Sequence, residues 1–215
     1  MADVLIFDMD GVISDTQVIH AAAESETLKK LFNITISPQE VTRRFNGTSL
    51  RAMIDILSDE YRIRPNFEKT RELFYESLFQ MAEENIRPMP GALELIERVR
   101  SHLPLAVAST SRHDFIDLVL TSLHIKDAFD IIVSGQDVTK SKPEPDIFLL
   151  AAKKFRKDPT QCVVIEDSVA GATAAERAGM RCIVFAPRLI WDEYPMSAIK
   201  MDRLDSITVE YIKNL

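Results

Sequence analysis

Short apolar runs alternate along the chain with longer stretches in which apolar positions recur every three or four residues. The runs are Val4–Phe7, Leu105–Ala108, Ile131–Val133, Cys162–Ile165 and Cys182–Phe185. Each is rich in Val, Ile or Ala and bounded by polar residues, as a strand buried on both faces should be. Helical spacing covers Ala92–Arg100, Asp114–Leu123, Asp146–Phe155 and Val169–Ala178. Strands alternating with helices predict a parallel sheet covered on both sides. Gly11, Gly91, Gly135 and Gly179 fall at the predicted joints, Gly179 just past the helix that ends in AERA.

One connection breaks this rhythm. From Ser14 to Pro88 no buried strand is legible, although a βα crossover needs only a few tens of residues. Leu50, Met53, Ile54, Leu57 and Tyr61 follow helical spacing, and Phe67, Phe74, Leu78 and Met81 form a second apolar stripe. The prediction is a doubly wound, Rossmann-like α/β core made of residues 1–13 and 89–215, with a small α-helical cap domain, residues 14–88, inserted after the first strand. Hinges are expected near Ser14–Asp15 and Arg87–Pro90. Ser206–Leu215 reads as a closing helix, and Pro187–Ile199, with Trp191 and Tyr194, either packs over the edge of the site or closes the core, with the core preferred.

Composition narrows the function. Of 215 residues, 46% are hydrophobic and 27% charged, with a formal net charge of -7. That balance argues against a nucleic-acid partner or a membrane-surface patch. No run approaches a membrane span, and acidic Asp3 before a short apolar run does not suit a secretion signal. Cys162 and Cys182, the two cysteines, sit in apolar runs and read as buried thiols. A cytoplasmic monomer is the expectation. Neither GxGxxG nor a Walker loop occurs, so dinucleotide and ATP loops are unsupported.

In a doubly wound sheet, ligands sit beyond the carboxyl ends of the strands. Asp8 and Asp10 follow the first run; Ser109, Thr110 and Ser111 follow the second; Glu166 and Asp167 follow the fourth. Lys142, in SKPEPDIF, comes after the third by a short loop. Two nearby carboxylates repel unless a cation neutralises them or one holds a proton. With Asp167 they form an all-oxygen set that favours Mg²⁺. Lys142, Ser109 and Thr110 can hold phosphate oxygens, so the set suits phosphoryl transfer. Plainer readings exist for each part. Asp-Gly is a turn pair, Ser109–Ser111 can cap a helix, with Ser111 the better cap, Lys142 can be solvated like Lys140, and Glu166 and Asp167 suit a helix dipole.

DMDGVISDT, AVASTSR, SKPEPDIF and VIEDSVAGATAAERAG together resemble the four ordered motifs of the haloacid dehalogenase superfamily, in the branch of β-phosphoglucomutase and sugar-phosphate phosphatases. The resemblance spans Val4 to about Phe185. It implies Asp8 as nucleophile, passing through an aspartyl-phosphate, and Asp10 as general acid/base. It implies Mg²⁺ held by Asp8, Asp167 and the main-chain carbonyl of Asp10, with Glu166 orienting the metal's water shell. Ser109, the Thr110 amide and Lys142 would bind the phosphate. Thr16 and His20 match a pair that the mutase branch carries near its sugar site, and Asn46, Gly47 and Arg51 are the other candidate substrate contacts in the cap.

Retention of Asp10 argues against the dehalogenase and phosphonatase branches. The mutase grips a second phosphate with a lysine and an arginine in its cap; here Asn46 and Leu50 stand in those places, with Arg43, Arg44 and Arg51 nearby. The expectation is therefore a Mg²⁺-dependent phosphatase acting on a small phosphorylated metabolite, a sugar phosphate by preference. A phosphosugar mutase is the alternative, and a catalytically silent phosphate-binding protein a lesser one. A signalling receiver domain would be about half this length and would lack the helical insert and the late Glu-Asp pair.

Overall fold

The computed structural model describes residues 2–45, 48–186 and 192–215. The apolar runs become β1 (Val4–Phe7), β2 (Leu105–Ser109), β3 (Ile131–Ser134), β4 (Cys162–Glu166) and β5 (Arg181–Phe185). Every residue of β1, β2 and β4 is buried, which is why these segments lack a polar alternation. A further strand, β6 (Ile199–Met201), extends one edge. It escapes sequence prediction because three half-buried residues, Ile-Lys-Met, make no apolar run.

All pairings are parallel, in the order β3-β2-β1-β4-β5-β6. Ile6 lies level with Ala106 on one side and Val164 on the other. The chain winds outward in one direction from β1 and in the other from β4. The carboxyl ends of this central pair therefore flank the crevice where such sheets bind ligands.

The chain divides into two compact units, Met1–Ser14 with Arg87–Leu215, and Asp15–Ile86. The smaller unit holds α1 (Gln17–Phe32), α2 (Pro38–Phe45), α3 (Leu50–Tyr61) and α4 (Phe67–Asn85). Local chemistry sets these boundaries. Asn33 at φ 55° ends α1, its N–H returning to the carbonyls of Leu28 and Lys29. Ser49 and Asn66 open α3 and α4, their side chains accepting from the N–H groups of Ala52 and Lys69. Leu28, Val41, Phe45, Met53, Ile54 and Leu57 form the centre of its core, each large side chain contributing about 2 kcal/mol by burial. Tyr61 departs from its predicted stripe: it is 43% exposed, because α3 ends there and Arg62 turns the chain in a left-handed conformation.

The larger unit adds α5 (Ala92–Val99), α6 (His113–Ser122), α7 (Asp146–Phe155), α8 (Val169–Arg177) and α9 (Val209–Lys213). Val4, Ile6, Ala106 and Val164 share one core with Phe148 and Ala151 of α7 and Ala172 and Ala175 of α8. The strand period turns Leu5 and Phe7 to the opposite face, where Phe7 meets Phe129 edge-on at 5.9 Å. The closing helix α9 is shorter than predicted, because Leu204–Ser206 forms a separate 3-10 turn and Thr208 caps the helix proper. Cys162 and Cys182 are buried free thiols, and burial pushes Cys162 up to about 11. No helix among the described residues is long and apolar enough to cross a membrane.

Candidate active site

The site grows from the end of β1. The Asp8 N–H donates to the carbonyl of Ile165 at 2.9 Å, carrying the β1–β4 pairing one residue past the strand and fixing Asp8 at the crevice. The chain then turns tightly. Gly11 sits at φ 93°, and the N–H groups of Ile13 and Ser14 return to the carbonyl of Met9. That turn brings Asp10 to the end of β2, where its Oδ2 accepts from the hydroxyls of both Ser109, at 3.1 Å, and Ser111, at 2.9 Å. The reading of Ser111 as a helix cap does not hold: Arg112 occupies that position, without a side-chain cap, and the Ser111 hydroxyl is directed to Asp10 instead.

Lys142 lies under Asp8. Its Nζ, almost wholly buried, donates to Asp8 Oδ1 at 2.5 Å and Glu166 Oε1 at 2.6 Å. Burial alone would lower this ammonium, but Asp8 and Glu166 outweigh burial and hold it above its usual range. The other oxygen of Glu166, Oε2, accepts from the Asp167 and Ser168 N–H groups and the Ser168 hydroxyl. Glu166 therefore joins the lysine to the N-terminus of α8, where a negative charge is favoured. Asp8 is less comfortable. Burial, opposed by Lys142 and reinforced by Glu166 and Asp10, raises its carboxyl to about 8.

Space around Glu166 is equally constrained. A Cβ on Gly171, in the first turn of α8, would fall 1.7 Å from Glu166 Oε1. Gly171→Ala must displace the carboxylate from Lys142. The expected cost is about 3 kcal/mol, a fall in melting temperature on the order of 10 °C. Calorimetry checks it, and a variant that melts with the parent would show that Glu166 has room to yield.

Asp8, Glu166 and Asp167 each offer a carboxylate oxygen within 4.8 Å of the others, an arrangement that could hold a metal ion. The donor chemistry fits a hard divalent cation. All three side-chain donors are carboxylate oxygens, the Asp10 charge also acts on Asp8, and the buried Lys142 ammonium pairs with Asp8 and Glu166. Tyr194, read from sequence as core, is 6% exposed and does belong to the core. Its hydroxyl also donates to the Asp167 carbonyl at 2.5 Å, a link without any sequence signal.

Seven of the predicted site residues, Asp8, Asp10, Ser109, Thr110, Lys142, Glu166 and Asp167, lie at strand ends or the following loops of the larger unit. Thr16, His20 and Arg51 belong to the smaller one. Thr16 is buried just before α1. His20 lies against Phe74, ring centroids 5.8 Å apart. Arg51 is exposed, 3.5 Å from Asp55, and its guanidinium stacks on Phe67. Asn46 and Gly47 lie outside the described residues, as does Trp191. Sequence reasoning missed Glu24, one helical turn beyond His20, which burial pushes up to about 7 against the opposing influence of that histidine.

The chain is 33% identical to the bifunctional riboflavin kinase/FMN phosphatase of Arabidopsis thaliana over 85% of its length, but spans only 48%, about half, of that protein. It is 30% identical to hexitol phosphatase B of Escherichia coli (strain K12), covering 95% of this chain and 94% of the relative. Among solved structures, the β-phosphoglucomutase of Clostridium difficile superposes with a TM-score of 0.86 at 26% identity, over 100% of this chain and 96% of that one. The model of the haloacid dehalogenase-like hydrolases matches residues 5–185. That span runs from β1 to the end of β5 and takes in Asp8, Asp10, Ser109, Ser111, Lys142, Glu166 and Asp167, and the chain belongs to this family.

Proposed function

We propose that the protein is a Mg²⁺-dependent phosphatase that hydrolyses a small phosphorylated metabolite, a sugar phosphate by preference, through an aspartyl-phosphate on Asp8. The observation that carries this reading is the pairing at the head of the crevice. Asp8 is held by Lys142 at 2.5 Å, while two residues on, Asp10 accepts from the hydroxyls of Ser109 and Ser111. One carboxylate is thus set beside positive charge, as a nucleophile facing an anionic phosphoryl group requires. The other, accepting from two hydroxyl donors, is suited to proton transfer. Hexitol phosphatase B and the riboflavin kinase/FMN phosphatase, 30% and 33% identical to this chain, are named for phosphate monoesters.

In the first step an Asp8 carboxylate oxygen bonds to phosphorus as the ester P–O bond breaks, and Asp10 gives its proton to the departing alkoxide. In the second, Asp10 takes a proton from water, whose oxygen bonds to phosphorus as the Asp8–phosphorus link breaks. Inorganic phosphate leaves and both aspartates are restored. Lys142, the Ser109 hydroxyl and the Thr110 amide hold the phosphoryl oxygens. Asp8, Asp167 and the Asp10 carbonyl would hold Mg²⁺, with Glu166 beside them; when bound it neutralises charge that gathers on the phosphoryl oxygens.

The phosphosugar mutase remains the second reading, favoured by the backbone likeness to β-phosphoglucomutase. Against it, Arg43, Arg44 and Arg51 are each engaged with a carboxylate, Glu40, Glu60 and Asp55, inside the smaller unit. Phosphorus NMR with Mg²⁺ and a panel of β-glucose 1-phosphate, hexitol phosphates and FMN decides between them. Growth of inorganic phosphate is expected. Conversion of the 1-phosphate to the 6-phosphate without free phosphate would establish the mutase, and binding without turnover a silent phosphate-binding protein.

A further inference from the structure

Ser111 has no part in the chemistry described above, yet the structure holds it with unusual completeness. The residue is 6% exposed. Its N–H donates to the Ser109 hydroxyl oxygen at 3.1 Å, and its carbonyl accepts from the Ser134 hydroxyl at 2.7 Å. Ser134 is itself fixed at the end of β3, where its hydroxyl oxygen accepts from the Gln136 N–H and its own N–H donates to Asp137. Between them, Gly135 packs so closely on the loop that a Cβ would lie 2.5 Å from the Thr110 carbonyl. The backbone of Ser111 is therefore clamped from both sides, and its hydroxyl is left to reach Asp10 Oδ2 at 2.9 Å.

Two hydroxyls share that one oxygen, but they are not equivalent. Ser109 has a single hydroxyl hydrogen, spent here on Asp10; to bind a phosphoryl oxygen it must turn that hydrogen away. Ser111 can keep its own on Asp10 throughout. We propose that Ser111 is a positioning residue that keeps the Asp10 carboxyl in place while Ser109 serves the phosphate, so that the proton is delivered to the leaving oxygen. This role rests on the reading of Asp10 as the acid/base.

The role has a signature that a merely structural serine lacks. An alkoxide departing from a sugar phosphate needs a proton in the transition state, whereas p-nitrophenolate scarcely does. The value of kcat/KM reports steps up to formation of the phospho-enzyme. In Ser111→Ala it is expected to fall roughly tenfold or more on a sugar phosphate. On p-nitrophenyl phosphate the fall should be about threefold or less. Ser111→Thr, which keeps a hydroxyl, should recover most of the loss. Melting curves of the variants should follow the parent.

Asp10→Asn measured on the same two substrates separates the possible failures. If Asp10→Asn discriminates between leaving groups and Ser111→Ala lowers both rates alike, or neither, the role of Ser111 is overturned while the acid/base reading stands. If Asp10→Asn treats both substrates alike, or the parent turns over neither, the acid/base reading fails and the role of Ser111 with it.

Discussion

With asparagine at position 8, phosphate release should fall by roughly 10⁴-fold or more, because the amide offers no nucleophilic oxygen of comparable strength. Binding of inorganic phosphate should survive, since Lys142, Ser109 and Thr110 are untouched. The same variant carries a stability signature with a definite sign. In the folded protein burial raises the Asp8 carboxyl from 3.8 to about 8, with Glu166 and Asp10 adding to it and Lys142 opposing. Between those two values the metal-free folded state holds a proton that the unfolded chain has lost, and that Mg²⁺ would displace to give the nucleophilic carboxylate. Asp8 thus contributes stability that is complete below the lower value and is lost as pH rises through the upper one. Asparagine does not titrate. Denaturant unfolding from pH 4 to pH 8 should therefore show the parent losing ground steadily to Asp8→Asn. Substantial turnover in the variant would remove Asp8 from the nucleophile's role, and parallel pH curves would show that its proton is not held by the fold.

The parts of this site that sequence reveals are those where chemistry and periodicity coincide. Asp8, Ser109 and Glu166 stand at or just after buried apolar runs, and a polar residue ending such a run is visible in one dimension. The helical insert is visible for the same reason, since Met53, Ile54 and Leu57 repeat with the helix and all turn inward. Partnership is different. Nothing in the spacing says that Lys142 bridges Asp8 to Glu166, that the Ser111 hydroxyl turns to Asp10 rather than to the following helix, or that Tyr194 reaches the Asp167 carbonyl. Those links join segments from 24 to 134 residues apart, and they depend on which strands lie side by side. Short edge elements are lost for a simpler reason: β6 is too short and too little buried to carry a period.

Because Lys142 joins two carboxylates in the interior, its removal should damage stability and activity together. Lys142→Met nearly keeps the length of the side chain but removes the ammonium, which lies 4.9 Å from the centre of the Phe148 ring, and leaves Asp8 and Glu166 without their counter-charge. Breaking a buried pair from one side costs about 3–5 kcal/mol, a fall in melting temperature on the order of 10 °C at neutral pH. Turnover should drop by roughly 10²-fold or more, since a positive group facing the transferring phosphoryl oxygens is lost. Acid should repair the fold but not the catalysis. In the variant a proton on Asp8 can replace the lost counter-charge, so its deficit against the parent shrinks as pH falls. A second substitution, Glu166→Gln, removes the stranded charge and should restore much of the lost stability at neutral pH while leaving the enzyme inactive. The double-mutant cycle isolates that coupling. If Lys142→Met melts with the parent, the lysine does not neutralise this pair. If stability falls but turnover persists, its charge serves the fold alone and the phosphate must be held elsewhere.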